Sequence, residues 1–258
     1  MAARAIWKAV LHCGPVRVPV KLFSAIEDQS VRFRVLSRKN QQPVRQALVN
    51  PETDEIVPHE KTRRAYVADN GDRVILESPE LAALEPEASR DIELLAFLPP
   101  EEIDHRWYER PYYLGPDGDS SAYFALADAV EASGLEGLAR WVMRGREYLG
   151  ALRLHRGYPI LLSLRFAGEV VAAEELKAPS GPALNQKELE MARQLIGMLD
   201  AEFDLASYRD EYRSRVLDLV DSKAKGRRLR LVKPRRKVPS DDLGGALRAS
   251  LKAVRKTA

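Results

Sequence analysis

Residues 16–22 read VRVPVKL, a strict alternation of apolar and polar side chains with a period of two. Successive side chains of a β-strand point to opposite faces, so Arg17 and Lys21 share the face opposite the valines. Residues 31–35, VRFRV, repeat the pattern with Arg32 and Arg34 on the polar face. Both runs predict strands that bury one face and present basic side chains on the other.

Further short strands are predicted along the first two thirds of the chain. Asn70-Gly71 stands between β-forming residues and predicts a hairpin, because this dipeptide suits the tightest hairpin turns. Residues 144–146 are predicted to turn a second hairpin, whereas residues 37–60 are poor in apolar side chains and predict a long loop. Several short strands with one helix among them favour a barrel or a sandwich. The other predicted strands are 92–98, 110–114, 138–142, 148–154 and 160–166.

One helix is predicted among the strands. Towards the C-terminus the spacing of apolar residues changes to that of helices. The first helix is predicted to begin at Ser120 or Ser121. Asn185 and Glu188 have the spacing of a capping box, which predicts a second helix, and a third helix begins near Ser207. The apolar side of the first helix is formed by Tyr123, Ala127 and Val130.

The charges are segregated along the chain. The 258 residues include 41 Lys and Arg and 38 Asp and Glu, a net charge of +3. Residues 222–258 alone have 13 basic and 2 acidic side chains, whereas residues 74–139 have 3 and 15. A concentrated basic surface favours a polyanionic partner, although a solvated basic tail on an ordinary domain gives the same composition.

The composition also restricts location and chemistry. No stretch reaches the roughly 18 apolar residues of a membrane span, and the N-terminus lacks the apolar core of a secretion signal. A single cysteine, Cys13, excludes an internal disulfide and a cysteine-based zinc site. We therefore expect a cytosolic protein without a bound metal.

The sequence offers no catalytic constellation. His12 and Cys13 are adjacent, and on a strand they point to opposite faces, so they cannot form a dyad with each other. Neither a phosphate-binding glycine loop nor a His-Glu-x-x-His pattern is present. We therefore predict a protein that is not an enzyme and that has no cofactor. A hydrolase using His12 or Cys13 remains the catalytic alternative.

Six segments, distributed over nearly the whole chain, carry a family resemblance. They are 4–8 (RAIWK), 18–25 (VPVKLFSA), 107–114 (WYERPYYL), 139–147 (ARWVMRGRE), 190–196 (EMARQLI) and 208–212 (YRDEY). Together they resemble the bacterial Ku proteins of DNA end joining, and their order and spacing make the match specific. Two segments depart from the family pattern and indicate a divergent member: Cys13-Gly14-Pro15-Val16 stands for the usual Phe-Gly-Leu-Val, and Arg64-Ala65-Tyr66-Val67 for Lys-Gly-Tyr-Glu.

The resemblance implies an α+β fold, a Ku-type β-barrel core with a long bridging arm and a helical C-terminal arm, followed by a basic tail. The core would span 1–184 with the arm at about 37–65, the helical arm 185–225, and the basic linker with a short docking helix 226–258. Two chains would form a ring on a double-stranded DNA end and recruit a multidomain ATP-dependent DNA ligase. A homodimer is implied, with a heterodimer with a second Ku copy as the alternative for a divergent chain. The place of action would be the cytoplasm, on the nucleoid, with no membrane partner. A weak lyase activity through a lysine Schiff base has been discussed for the family, and we do not predict it here because no lysine lies in an evidently apolar segment that would lower its pKa.

Clustering of basic side chains, taken with the resemblance, selects candidate site residues. A general nucleic-acid-binding β-barrel protein without end specificity is the alternative function. The apolar stripe of the last helix, behind a basic linker, predicts docking on a partner. The candidate DNA-binding residues are Lys21, Arg32, Arg34, Lys61, Arg63, Arg64, Arg140, Arg144 and Arg146. The candidate docking residues are Leu243, Leu247, Leu251 and Val254.

Overall fold

A computed structural model describes residues 4–118, 120–176, 185–199, 203–227, 245, 247–250 and 252. The chain divides into two compact units. The first consists of Met1–Gln29 with Arg34–Glu175, and the second of Ser30–Phe33 with Leu176–Ala258. Tail residues 228–244, which include the basic linker, lie outside the described part of the chain.

The first unit is built on a closed barrel of seven strands. The strand order is β1-β2-β6-β9-β8-β7-β5, and a parallel pair between β1 and β5 closes it, with Leu11 opposite Ile92. β3 and β4 form a separate two-stranded hairpin. The strands are β1 (Trp7–Cys13), β2 (Val16–Ser24), β3 (Arg64–Val67), β4 (Arg73–Leu76), β5 (Asp91–Leu98), β6 (Tyr108–Pro116), β7 (Glu136–Met143), β8 (Arg146–His155) and β9 (Tyr158–Leu164). The predicted α+β fold with a β-barrel core is thereby confirmed.

The barrel interior is filled by the apolar face of each strand. In β2 the period of two sends Val18, Val20 and Leu22 inward, and each is at most 1% exposed. Opposing strands contribute large side chains, among them Trp141 and Leu161. Burial of this face fixes the register, since a slip by one residue would turn every one of these side chains to the outside.

Helix α2 (Ser121–Ser133) packs its predicted apolar side against the barrel. Tyr123, Ala127 and Val130 are buried as expected from their spacing. The Tyr123 hydroxyl donates to the Leu114 carbonyl at 2.7 Å, which satisfies its polar end inside the core. The other helices are α1 (Ser78–Ala83), α3 (Gln186–Met198) and α4 (Glu211–Ala224).

Two local signals are confirmed and one helix start is displaced. The turn at Asn70-Gly71 joins β3 to β4, with Gly71 at a φ of +87°. The Asn185 side chain accepts from the Glu188 backbone N–H at 2.9 Å, so the capping box forms at the start of α3. α4 begins at Glu211, capped by Asp210, rather than near Ser207, which lies in a single 3₁₀ turn.

The predicted strand at 31–35 is wrong. None of these residues is in a strand, and Phe33 and Val35 remain 67% and 72% exposed. Alternation alone does not make a strand, because a strand needs a partner to pair with, and residues 31–35 pair with none of the described strands. Arg32 and Arg34 therefore do not share a strand face, and they belong to different compact units.

A buried carboxylate stands at the start of β7. Glu136 is 2% exposed at its side chain, and its Oε2 accepts from the Tyr108 hydroxyl at 2.6 Å. Arg153 Nε lies 3.2 Å from Glu136 Oε1 in ion-pair contact, without hydrogen-bond alignment. Burial, followed by the bond to Glu136, raises the pKa of Tyr108 to about 12. The cluster joins β6, β7 and β8 through side chains.

Alkaline pH is expected to weaken the fold through Tyr108. Because the folded pKa lies above the ordinary value near 10, the unfolded chain releases this proton first, and stability falls as pH rises from 10 to 12. Tyr108→Phe should show a shallower loss of its urea midpoint over that range, with Tyr66→Phe, an exposed tyrosine, as the control. Parallel pH profiles for wild type and Tyr108→Phe would contradict the assignment.

Candidate nucleic-acid interface

Lys21 is on the outer face of the barrel and shares a carboxylate with a second lysine. Its Nζ lies 2.8 Å from Asp117 Oδ1, and Lys8 Nζ lies 3.1 Å from Asp117 Oδ2. Lys8 is the cross-strand partner of Lys21 in the β1–β2 pair. Hydrogen bonds from Lys21 and then Lys8 lower the pKa of Asp117 below its usual range. Two lysine cations around one carboxylate leave a net charge of +1. Lys8 is therefore a further candidate for DNA binding, which was not identified from the sequence.

Arg140 is balanced by acidic neighbours. Its Nη2 lies 3.0 Å from Glu93 Oε2 on β5, and its Nε lies 3.9 Å from Glu147 Oε1 on β8. The shallow cleft that it lines also includes Glu87 and Asp91. A hydrogen bond to Glu93 raises the pKa of Arg140, as expected for a cation held by carboxylates. These carboxylates would repel a phosphate that approaches Arg140.

Among the described residues no ion pair balances Arg144 or Arg146, although Arg146 lines a cleft that also contains Glu109, Glu147 and Glu169. Both arginines are exposed at the β7–β8 turn. Arg144 has a φ of +55° and Gly145 a φ of +72°. Such turns favour asparagine, aspartate or glycine at the first position, so an arginine there carries backbone strain. Arg140 is therefore balanced by carboxylates, whereas Arg144 and Arg146 at the turn form no ion pair with any residue that the structure describes.

The remaining basic candidates, Arg32, Arg34, Lys61, Arg63 and Arg64, are exposed. Lys61, Arg63 and Arg64 lie at the start of the β3–β4 hairpin, where Arg63 Nη1 is 3.8 Å from Glu77 Oε1. Exposed pairs at this distance contribute little to stability and leave the charge accessible.

A second arginine repeats the geometry of Arg144 and was missed from sequence. Arg156, at the β8–β9 turn, has a φ of +52° and is followed by Gly157 at +77°. The signal was an Arg-Gly dipeptide between two strand-forming runs, present at 144–145 and again at 156–157. Both dipeptides lie in the basic stretch at 140–165, but the candidates selected from it were the three arginines that cluster at 140–146, and Arg156 was left out.

Of the predicted docking stripe, only Leu247 is described. It is half-buried and lies in a helical stretch at residues 247–250. The other three positions, Leu243, Leu251 and Val254, lie outside the described residues.

His12 binds a carboxylate and not a nucleophile. Its Nε2 lies 2.8 Å from Asp91 Oδ1, and the Ser89 hydroxyl donates to Asp91 Oδ2 at 2.8 Å. The bonds from Ser89 and then His12 lower the pKa of Asp91. Asp91 thus separates the histidine from the hydroxyl, and this arrangement does not activate Ser89.

The described residues contain neither a metal-binding cluster nor a membrane-spanning helix. Within them, no group of three or more His, Cys, Asp or Glu side chains is arranged to hold a metal ion. No helix among them is long and apolar enough to cross a membrane.

The chain is similar to one family model and to several curated proteins. A family model described as the Ku70/Ku80 beta-barrel domain matches residues 12–191. The non-homologous end joining protein Ku 2 of Geotalea uraniireducens is 33% identical over 256 residues, covering 98% of this chain and all of the relative. Ku 3 of Saccharopolyspora erythraea is 36% identical, covering 94% of each chain. The Ku protein of Coxiella burnetii is 34% identical, covering 87% of this chain and 84% of the relative.

Proposed function

As the chain belongs to the Ku family, we propose that it binds double-stranded DNA ends in non-homologous end joining, without sequence preference. The observation that carries the proposal is the closed barrel, whose strands between residues 7 and 164 lie mostly within the matched family domain at 12–191. Sequence-blind binding requires cations for phosphates rather than groups that read bases. The arginines at the β7–β8 turn supply such cations. We assign the protein a holding role rather than catalysis, in the cytoplasm on the nucleoid.

We further propose that two copies of the chain form a ring. The C-terminal unit supports this, because neither α3 nor α4 has a buried residue. Contiguous exposed apolar surface is a mark of a protein–protein interaction site. A solution mass of a single chain would contradict the ring, and a dimer only with a second Ku copy would favour the heterodimer. The exposed apolar side chains of this unit include Ile196, Leu199, Phe203, Leu205, Tyr208 and Tyr212.

The tail is proposed to recruit an ATP-dependent DNA ligase. Its basic segment at 222–238 would follow the DNA backbone, and the stripe at Leu243, Leu247, Leu251 and Val254 would dock on the ligase. If the double variant Leu247→Asp/Leu251→Asp still stimulated the ligase, the stripe would not be the docking site.

Topology of the DNA provides the decisive test of end binding. A ring loads only from a terminus, so the protein should bind a linearised plasmid and leave the same plasmid unbound as a covalently closed relaxed circle. Circularising the DNA after loading should trap protein that high salt removes from the linear form. If the ring contacts roughly 6–10 phosphates, log K should fall with log salt at a slope of about −5 to −9. Equal affinity for the two forms would instead favour general nucleic-acid binding.

A further inference from the structure

A cleft of about 570 Å³ opens on the outer face of the barrel. Its lining residues come from β2, β6 and the β8–β9 turn. Phe23 and Tyr113 are cross-strand partners, while their neighbours Leu22 and Leu114 are buried inside the barrel. Alternation along each strand therefore directs the two aromatic rings outward, side by side. The lining residues are Phe23, Tyr113, His155, Arg156 and Tyr158.

The aromatic rings of the cleft pack against one another and remain partly exposed. Tyr113 and Tyr158 meet edge to face, with centroids 6.2 Å apart and planes at 71°. Their exposures are 38% and 62%, so ring surface remains free. Phe23 packs over Gly115, where an added Cβ would lie 3.0 Å from its ring, and this close approach fixes the ring beside Tyr113. A flat ligand can therefore stack on a preformed aromatic surface.

The same cleft is cationic. Arg156 and His155 line it, and none of its described lining residues is acidic. Arg156 occupies a left-handed turn position, with a φ of +52°, that arginine adopts at a cost and asparagine adopts easily. Strained positions that persist in a fold concentrate at binding sites. Charge and stacking surface together fit a ligand with a planar aromatic group and an adjacent anion.

We propose that this cleft binds an unpaired nucleotide of a single-stranded DNA overhang. The base stacks on Tyr158 and Tyr113, and its phosphate faces Arg156 and His155. Stacking tolerates any base, because every base has a π face, and this matches a protein that does not read sequence. A proline-rich peptide would use the rings but would leave the guanidinium without an anion. The inference rests on the proposed function, since an overhang reaches the cleft only when the DNA end is bound.

The experiment compares a blunt duplex with the same duplex carrying a short 3′ or 5′ overhang. For the full chain, Tyr158→Ala should weaken binding of at least one overhang duplex about tenfold and leave the blunt duplex unchanged. Tyr158→Phe should retain wild-type affinity, and Arg156→Asn, which suits the turn, should weaken the same overhang duplex. Tyr66→Ala, at an exposed tyrosine of the β3–β4 hairpin, is the matched control.

A fluorescent base gives an independent readout. 2-Aminopurine at the first unpaired position should be quenched by the wild type and not by Tyr158→Ala. Equal effects of Tyr158→Ala on blunt and overhang duplexes, or no effect on either, would overturn the inference alone. Tyr158-dependent binding of a proline-rich peptide without an overhang effect would also overturn it. Failure of the wild type to bind the blunt duplex would overturn the proposed function as well.

Discussion

Replacing Arg144 and Arg146 together by glutamate is expected to weaken DNA binding about 10³-fold near 0.1 M salt. In a dimer the change removes four cations, and each phosphate contact releases about 0.9 counterion. The slope of log K against log salt should therefore become shallower by about 3 to 4. Both side chains are exposed and unpaired among the described residues, so the variant should keep its fold. Titration of a blunt duplex at several salt concentrations measures both quantities.

Arg140 offers the matched comparison. Because Glu93 and Glu147 already balance its charge, Arg140→Gln should change DNA affinity much less than Arg144→Gln or Arg146→Gln. An Arg140→Gln effect as large as the other two would show that its ion pairs open when DNA binds. A double glutamate variant that remains dimeric and keeps the wild-type slope would place the β7–β8 turn away from DNA.

Gly150→Ala is expected to destabilise the barrel by about 3 kcal/mol or more, lowering Tm by roughly 6–12 °C. A Cβ on Gly150 would lie 2.5 Å from Trp141 Cζ3 and 2.6 Å from the Leu162 carbonyl oxygen. The indole is 2% exposed and stacks on Tyr148 with centroids 5.3 Å apart, so it has little room to move. The carbonyl belongs to β9, which pairs with β8 at this position. Relief would require separating the two strands.

Thermal unfolding with a second glycine as reference measures this effect. At Gly168 an added Cβ meets nothing within 4 Å, so Gly168→Ala should leave Tm nearly unchanged. A Gly150→Ala variant with the wild-type Tm would mean that β8 and β9 can move apart without loss of core packing.

Local rules predicted the elements of this protein well. The period of two along residues 16–22, the spacing of Tyr123, Ala127 and Val130, and the Asn185 cap each depend on neighbours within about ten residues. The fold retains these features, because the buried faces of β2 and α2 and the cap of α3 are the ones that the local pattern predicts. The pattern at 31–35 is equally regular and forms no strand, since strand formation needs a partner that local sequence does not supply.

Whether a basic side chain is ion-paired or open depends on contacts between distant parts of the chain. Arg140 is paired with Glu93, 47 residues away, while Arg144, four residues further on, is left open. Lys21 binds Asp117 across the β2–β6 region, and the cleft joins Phe23 to Tyr113 and Tyr158. No period or motif encodes such pairings, because they follow from strand order and from closure of the barrel. Composition and periodicity therefore determined that this chain makes a basic, strand-rich fold, and barrel closure decided which cations are free to meet a phosphate.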